Sequence, residues 1–204
     1  MKKSAKGRVF DRIKRKGRNW AFSAVDFTRD FKRWEIDQSF VALEKEGKIR
    51  RVLPGLYYFP DYSTMLKKFI SPSVQEVAYA LARKYNWTIF PEGNTALNHL
   101  RLSLQVPAGY VYISSGSSRK YKISNTQLEF CHRALKESTI TSENANLVVQ
   151  AIKSMGKGHA DKDFLKQLSL RFSKAEWNKI EKDAHKVPGW VLDAIKKAKE
   201  FANG

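Results

Sequence analysis

Residues 32–59 read KRWEIDQSFVALEKEGKIRRVLPGLYYF, and two periodicities meet inside them. Up to Glu46 the apolar residues Ile36, Phe40 and Leu43 fall at i, i+4 and i+7, one face of a helix. Gly47 stands where a helix commonly ends on a left-handed residue. Beyond it, Lys48–Leu53 and Leu56–Phe59 are β-prone runs on either side of Pro54-Gly55, a turn signal. The stretch predicts a helix over about Lys32–Glu46 followed by a two-stranded hairpin.

Upstream, Val9, Phe10 and Ile13 give an apolar stripe among basic residues, which predicts a helix from about Ser4 to Lys16. Gly17-Arg18-Asn19 breaks it. Trp20-Ala21-Phe22 reads as a short strand. Ser23 then reads as an N-cap, with Asp26 three residues on, opening a short second helix. Helix, short strand, helix, helix, hairpin is the order of a winged helix-turn-helix. The expected fold class is therefore α+β. Residues 1–60 form the winged helix-turn-helix, and residues 61–204 a mixed α+β domain with a helical C-terminal end.

In that second part, Asp61–Ser71 reads as a linker or lead-in, and Ser71-Pro72 as the start of a helix reaching about Tyr85. Short strands follow at Trp87–Phe90, Tyr110–Ile113, Lys120–Ile123 and Leu128–Cys131, with a helix over Thr95–Leu102. Four helices are expected over Leu147–Met155, Asp161–Leu170, Ser173–Ala184 and Trp190–Phe201. Ser173 with Glu176 forms a capping box.

Charge narrows the function classes. The 204 residues hold 38 Lys+Arg and 20 Asp+Glu, a formal +18. Residues 1–60 carry 16 basic and 7 acidic residues, half of that excess. A surface this basic points to an anionic polymer. No run of 18 apolar residues is present, and the basic start has no apolar segment after it, so neither a membrane span nor a secretory leader is expected. The single Cys131 excludes an internal disulfide and a cysteine zinc site, which fits a cytoplasmic protein.

No catalytic constellation emerges. Cys131 and His132 are adjacent on a strand and point to opposite faces. The four histidines lack metal-ligand spacing, and Gly156-Lys157-Gly158 lacks the rest of a phosphate-binding loop. Ser114–Arg119 reads as a plain hairpin turn, the alternative being an anion-binding nest. The expectation is a protein that is not an enzyme and needs no cofactor.

The third helix is the candidate recognition helix. Opposite Ile36, Phe40 and Leu43 lie Trp34, Gln38, Val41 and Lys45, with Arg33 and Asp37 on the flanks. Arg33 offers a fork to guanine and Gln38 one to adenine. Trp34 suits the sugar-phosphate backbone or a thymine methyl. Alternatively, Trp34 lies half-buried and Arg33 pairs with Asp37. The hairpin brings Lys48, Arg50 and Arg51. On a strand, Lys48 and Arg50 share one face and Arg51 takes the other. The candidate DNA-binding set is Lys32, Arg33, Trp34, Asp37, Gln38, Lys45, Lys48, Arg50 and Arg51, with Arg8 and Arg12 of the first helix.

These residues carry a family resemblance. Trp20-Ala21-Phe22, Asp26-Phe27, Arg33, Ile36-Asp37-Gln38, Leu43, Gly47, Ile49-Arg50-Arg51 and Gly55-Leu56-Tyr57 resemble the N-terminal half of AbiEi-type antitoxins. The branch is the one built as a winged helix plus a short C-terminal domain. The likeness continues through Val77–Ala82, Pro91, Asn94, Leu102-Ser103, Gln105-Val106-Pro107, Tyr112, Gly116 and Ser118-Arg119, and thins after about Arg133. Arg50–Tyr57 with Gln105-Val106-Pro107 is its most specific part. Lys32 and Trp34 depart from the small residues usual at those positions.

The resemblance implies a repressor that binds inverted repeats of double-stranded DNA upstream of its own operon. It implies contacts through Arg33, Gln38, Arg50 and Arg51. It also implies a nucleotidyltransferase-like toxin as functional partner, in a type IV scheme where direct contact is not required. Two other classes stay open: neutralisation of the toxin by direct contact, and a nucleic-acid enzyme targeted by the winged helix. Monomer and pairing on DNA also stay open.

Overall fold

The apolar stripe near the N-terminus does form a helix, α1 (Ala5–Lys16), with Val9 and Ile13 fully buried. The structure, a computed structural model, describes residues 4–103, 109–133, 140 and 142–203. The start of the basic arm (residues 1–3) and the quoted Gln105-Val106-Pro107 lie outside the described residues. The class is mixed α+β, in two units, Met1–Trp87 and Thr88–Gly204.

In the first unit, Ser4 Oγ accepts the Gly7 N–H to open α1, and Lys14, Arg15 and Lys16 sit at its negative C-terminal end. Then come β1 (Ala21–Phe22), a 3-10 helix (Ala24–Phe27), α2 (Arg33–Lys45), β2 (Arg50–Leu53) and β3 (Leu56–Tyr58). The expected second helix is thus a single 3-10 turn, because only four residues separate its two caps, Ser23 and Thr28. The strands form an antiparallel sheet in the order β1-β3-β2. Phe22, Tyr57 and Arg51 lie in one cross-strand row, and Ala21, Tyr58 and Arg50 in the next. Rings join helix to sheet: Phe40 of α2 lies 5.4 Å from Phe22 and 5.0 Å from Tyr57, centroid to centroid. This is the winged-helix order, with α2 as its third helical element and β2–β3 as its wing.

Asp61–Ser71 is not a linker. It contains a second hairpin, β4 (Asp61–Ser63) and β5 (Lys68–Ile70), held by the Tyr62–Phe69 cross-strand ring pair. The next helix, α3 (Val74–Tyr85), is capped by Ser73, so Pro72 stands before the cap rather than in the first turn. α3 belongs to this unit. Its Arg83 donates to Asp26 at 2.6 Å and to the Ala21 carbonyl at 2.8 Å, and its Lys84 donates to the Pro54 carbonyl at 2.9 Å. The division of the chain accordingly falls at Trp87, where the charge and turn pattern had put it near Pro60.

The second unit holds β6 (Ile89–Pro91), α4 (Asn94–His99), β7 (Gly109–Ser114), β8 (Arg119–Ile123) and β9 (Thr126–His132), in the sheet order β6-β7-β9-β8. β7 and β9 run parallel, and the other neighbours are antiparallel. The helices α5 (Glu143–Met155), α6 (Lys162–Ser169), α7 (Lys174–Asp183) and α8 (Gly189–Asn203) follow. Trp177 is fully buried among them and donates its indole N–H to the Ser169 carbonyl at 3.0 Å. Cys131 is half-buried beside Glu129, and burial pushes its thiol pKa up. His99 pairs with Tyr112, and burial holds its pKa down. Among the described residues, no helix is long and apolar enough to cross a membrane, and no three His, Cys, Asp or Glu side chains gather to hold a metal ion.

Candidate nucleic-acid interface

The inner face of α2 consists of Ile36, Ser39, Phe40 and Leu43. At 100° per residue, Arg33, Trp34, Asp37, Gln38, Val41 and Lys45 then span an arc of about 140° on the other side. All six are exposed. Trp34 and Val41, one heptad apart, stand near the centre of the arc and are 59% and 64% exposed. The alternative of a half-buried Trp34 is therefore overturned: Ile36 and Phe40 fill the contact with the core and leave it no room there. The other alternative, pairing of Arg33 with Asp37, is present, with Arg33 Nε donating to both carboxylate oxygens at 3.1 and 2.9 Å. Lys32 is the N-cap residue, and its backbone N–H is taken by Glu35 at 2.9 Å.

α1 delivers arginines to the entrance of α2. Arg8 lies over the Phe31 ring at 5.2 Å. Arg12 lies over Phe27 at 5.3 Å and pairs with Asp30. An open groove is lined there by Arg8, Asp11, Arg12, Arg15, Asp30 and Phe31. Arg15 is absent from the sequence-based set, although its helical spacing of i+3 from Arg12 and i+7 from Arg8 is the signal that finds it. Val41 is also absent from that set, although the helical period places it opposite Ile36, Phe40 and Leu43, where the structure exposes it.

The basic residues of the wing are separated. Arg51 donates to Glu44 of α2 at 3.0 Å and to the Tyr57 hydroxyl at 3.2 Å, so it lies on the α2 side of the sheet. Arg50 takes the opposite face of the sheet and stacks on Phe69 of β5 at 3.9 Å. Lys48 does not share that face. It precedes the strand, pairs with Glu46 at 2.7 Å and lies 5.3 Å from the Phe10 ring centroid of α1. Strand alternation starts only at Arg50, because Gly47 at φ +67° turns the chain first. Side-chain hydrogen bonds from Lys48 and Lys6 lower the Glu46 pKa from 4.5 to about 2. The structure thus brings Lys32, Arg33, Trp34, Asp37 and Gln38 together with Arg8 and Arg12 at one end of α2. Lys45, Lys48 and Arg51 gather at the other, and Arg50 stands apart.

A family model described as "Family of unknown function (DUF6088)" matches residues 8–180, most of the first unit and the second as far as α7. The chain belongs to the DUF6088 family. The matched region of this DUF6088 chain begins at Arg8, within the arginine stripe of α1, and takes in all of α2 and both hairpins of the first unit. No curated protein matches the DUF6088 chain.

Proposed function

We propose that the chain binds double-stranded DNA in a sequence-specific manner through α2 and the wing. We propose further that it serves as a cytoplasmic transcriptional autorepressor and antitoxin of a type IV toxin–antitoxin pair, without enzymatic activity. One observation carries the DNA reading: Trp34 and Val41 are exposed at the centre of a helix face whose remaining side chains are Arg33, Asp37, Gln38 and Lys45. A helix in a major groove contacts base edges from this kind of face. Apolar side chains meet thymine methyls there, and forked polar ones meet purines. Arg8, Arg12 and Arg15 on one side and Lys45, Lys48 and Arg51 on the other suit the two phosphate backbones that flank a groove. The autorepressor and antitoxin roles, and a nucleotidyltransferase-like toxin as functional partner, rest on the resemblance to AbiEi-type antitoxins.

The test is fluorescence anisotropy with the duplex lying immediately upstream of the gene, against a shuffled duplex, over a salt series. A tenfold preference retained as salt rises is expected. Equal binding that collapses with salt reduces the chain to a basic surface and overturns the reading. Each phosphate contact lowers the slope of log K against log salt by about 0.9.

A further inference from the structure

We infer that the β4–β5 hairpin is a second DNA-contacting element, whose Met65-Leu66 tip wedges into a minor groove of the duplex. The inference rests on the DNA-binding reading above and adds to it a site outside α2 and the wing. Tyr62, Met65, Leu66, Phe69 and Ile70 make this ten-residue segment the richest in exposed large apolar side chains among the described residues. They divide by role. Tyr62 and Phe69 pack edge to face across the strands at 5.2 Å, and Arg50 stacks on Phe69, so this pair anchors the ribbon. At the tip, Met65 is 86% and Leu66 53% exposed. They fill no core.

Three observations favour nucleic acid as the occupant. Lys67 and Lys68 adjoin the apolar tip, whereas lysine is depleted from protein–protein interfaces. Lys67 holds φ +48°, a left-handed position where glycine or asparagine is unstrained. A lysine kept there places a charge at the turn despite its backbone preference, and such outliers cluster at binding sites. The ribbon also packs on the wing through Arg50 on Phe69, on the sheet face opposite Arg51, so its cations add to those of the wing from that side. Apolar wedges of Leu or Met flanked by cations are how minor-groove binders part base steps and kink a duplex.

The experiment pairs anisotropy with energy transfer between dyes at the two ends of the upstream duplex, using the full chain. Met65→Ser with Leu66→Ser is expected to weaken binding at least tenfold and remove the bend while leaving the salt slope unchanged, since no cation is lost. Lys67→Gly relieves the left-handed strain, so it folds, and is expected to lower the slope by about 0.9. Wild-type affinity and bend in the double-serine variant would overturn the inference. A changed oligomeric state of that variant in sedimentation, with DNA binding intact, would overturn it in favour of a protein contact. If the wild-type chain shows no sequence preference, the DNA reading itself falls, which the wild-type arm reports separately.

Discussion

Arg33 engages Asp37 through Nε, and that contact leaves the outer edge of its guanidinium, Nη1 and Nη2, which on the proposed DNA reading meets guanine O6 and N7. On that reading, Asp37 is a positioning residue. Arg33→Ala is expected to cost about 1–3 kcal/mol and to relax preference at one base pair. Asp37→Ala should act in the opposite direction on affinity. It removes a negative charge near phosphates, so all sequences bind more tightly, yet preference at the same base pair flattens. Anisotropy against singly substituted duplexes distinguishes the two, and unchanged base preference in Asp37→Ala would refute the positioning role. Glu46 gives a pH prediction. Its pKa, about 2, lies below the ordinary 4.5, so its contribution to stability is fully present above 4.5 and is lost as pH falls toward 2. Thermal midpoints of the wild-type chain and Glu46→Gln should therefore converge on acidification, and salt should narrow the difference. Glu46→Gln also releases Lys48 and Lys6, so it should tighten binding to any duplex.

Elements depend on one another in ways that single side chains expose. Gly55 turns the wing at φ +69°, and a Cβ there would meet Lys84 Nζ at 3.1 Å. Gly55→Ala is expected to lose roughly 1–3 kcal/mol, read from the urea midpoint, because the left-handed turn resists a side chain. Asp26 does two jobs. It accepts the Ser23 N–H at 2.9 Å to start the 3-10 helix, and it holds Arg83 of α3. The loss of the cap alone in Asp26→Ala costs about 1 kcal/mol. The lost grip on α3 adds to that, and α2 is affected indirectly, since the 3-10 turn packs against it through Phe27 and Phe40.

Over the whole molecule, charge and folding unit coincide. Met1–Trp87 hold 20 Lys+Arg against 9 Asp+Glu, +11 of the total +18. A chain ending at Trp87 is expected to fold cooperatively and to keep the base preference of the full protein. A chain ending at Pro60 lacks the Arg83–Asp26 and Lys84–Pro54 contacts, so it should unfold at lower denaturant. Equal midpoints for the two fragments in urea would show that α3 adds nothing. In the second unit, Trp177→Ala should cost about 3–5 kcal/mol, since it empties the centre of a helical core and orphans a buried carbonyl.

Local chemistry by itself determined several of the helix limits and turns. Ser4, Ser23, Gly47, the Pro54-Gly55 turn and the Ser173–Glu176 box each act within a few residues of chain, and each stands where the sequence reading put it. The outward arc of α2 follows equally from 3.6 residues per turn. Tertiary structure decided the rest. The hairpin at 61–70 has two three-residue strands, too short to announce a period, and it is fixed by Tyr62 on Phe69 and Phe69 under Arg50. Lys48 left the face of Arg50 because a left-handed glycine and the Glu46 carboxylate, not strand alternation, set its direction. The first unit ends at Trp87 rather than Pro60 because Arg83 reaches an aspartate 57 positions back, a contact that no local pattern in the chain encodes.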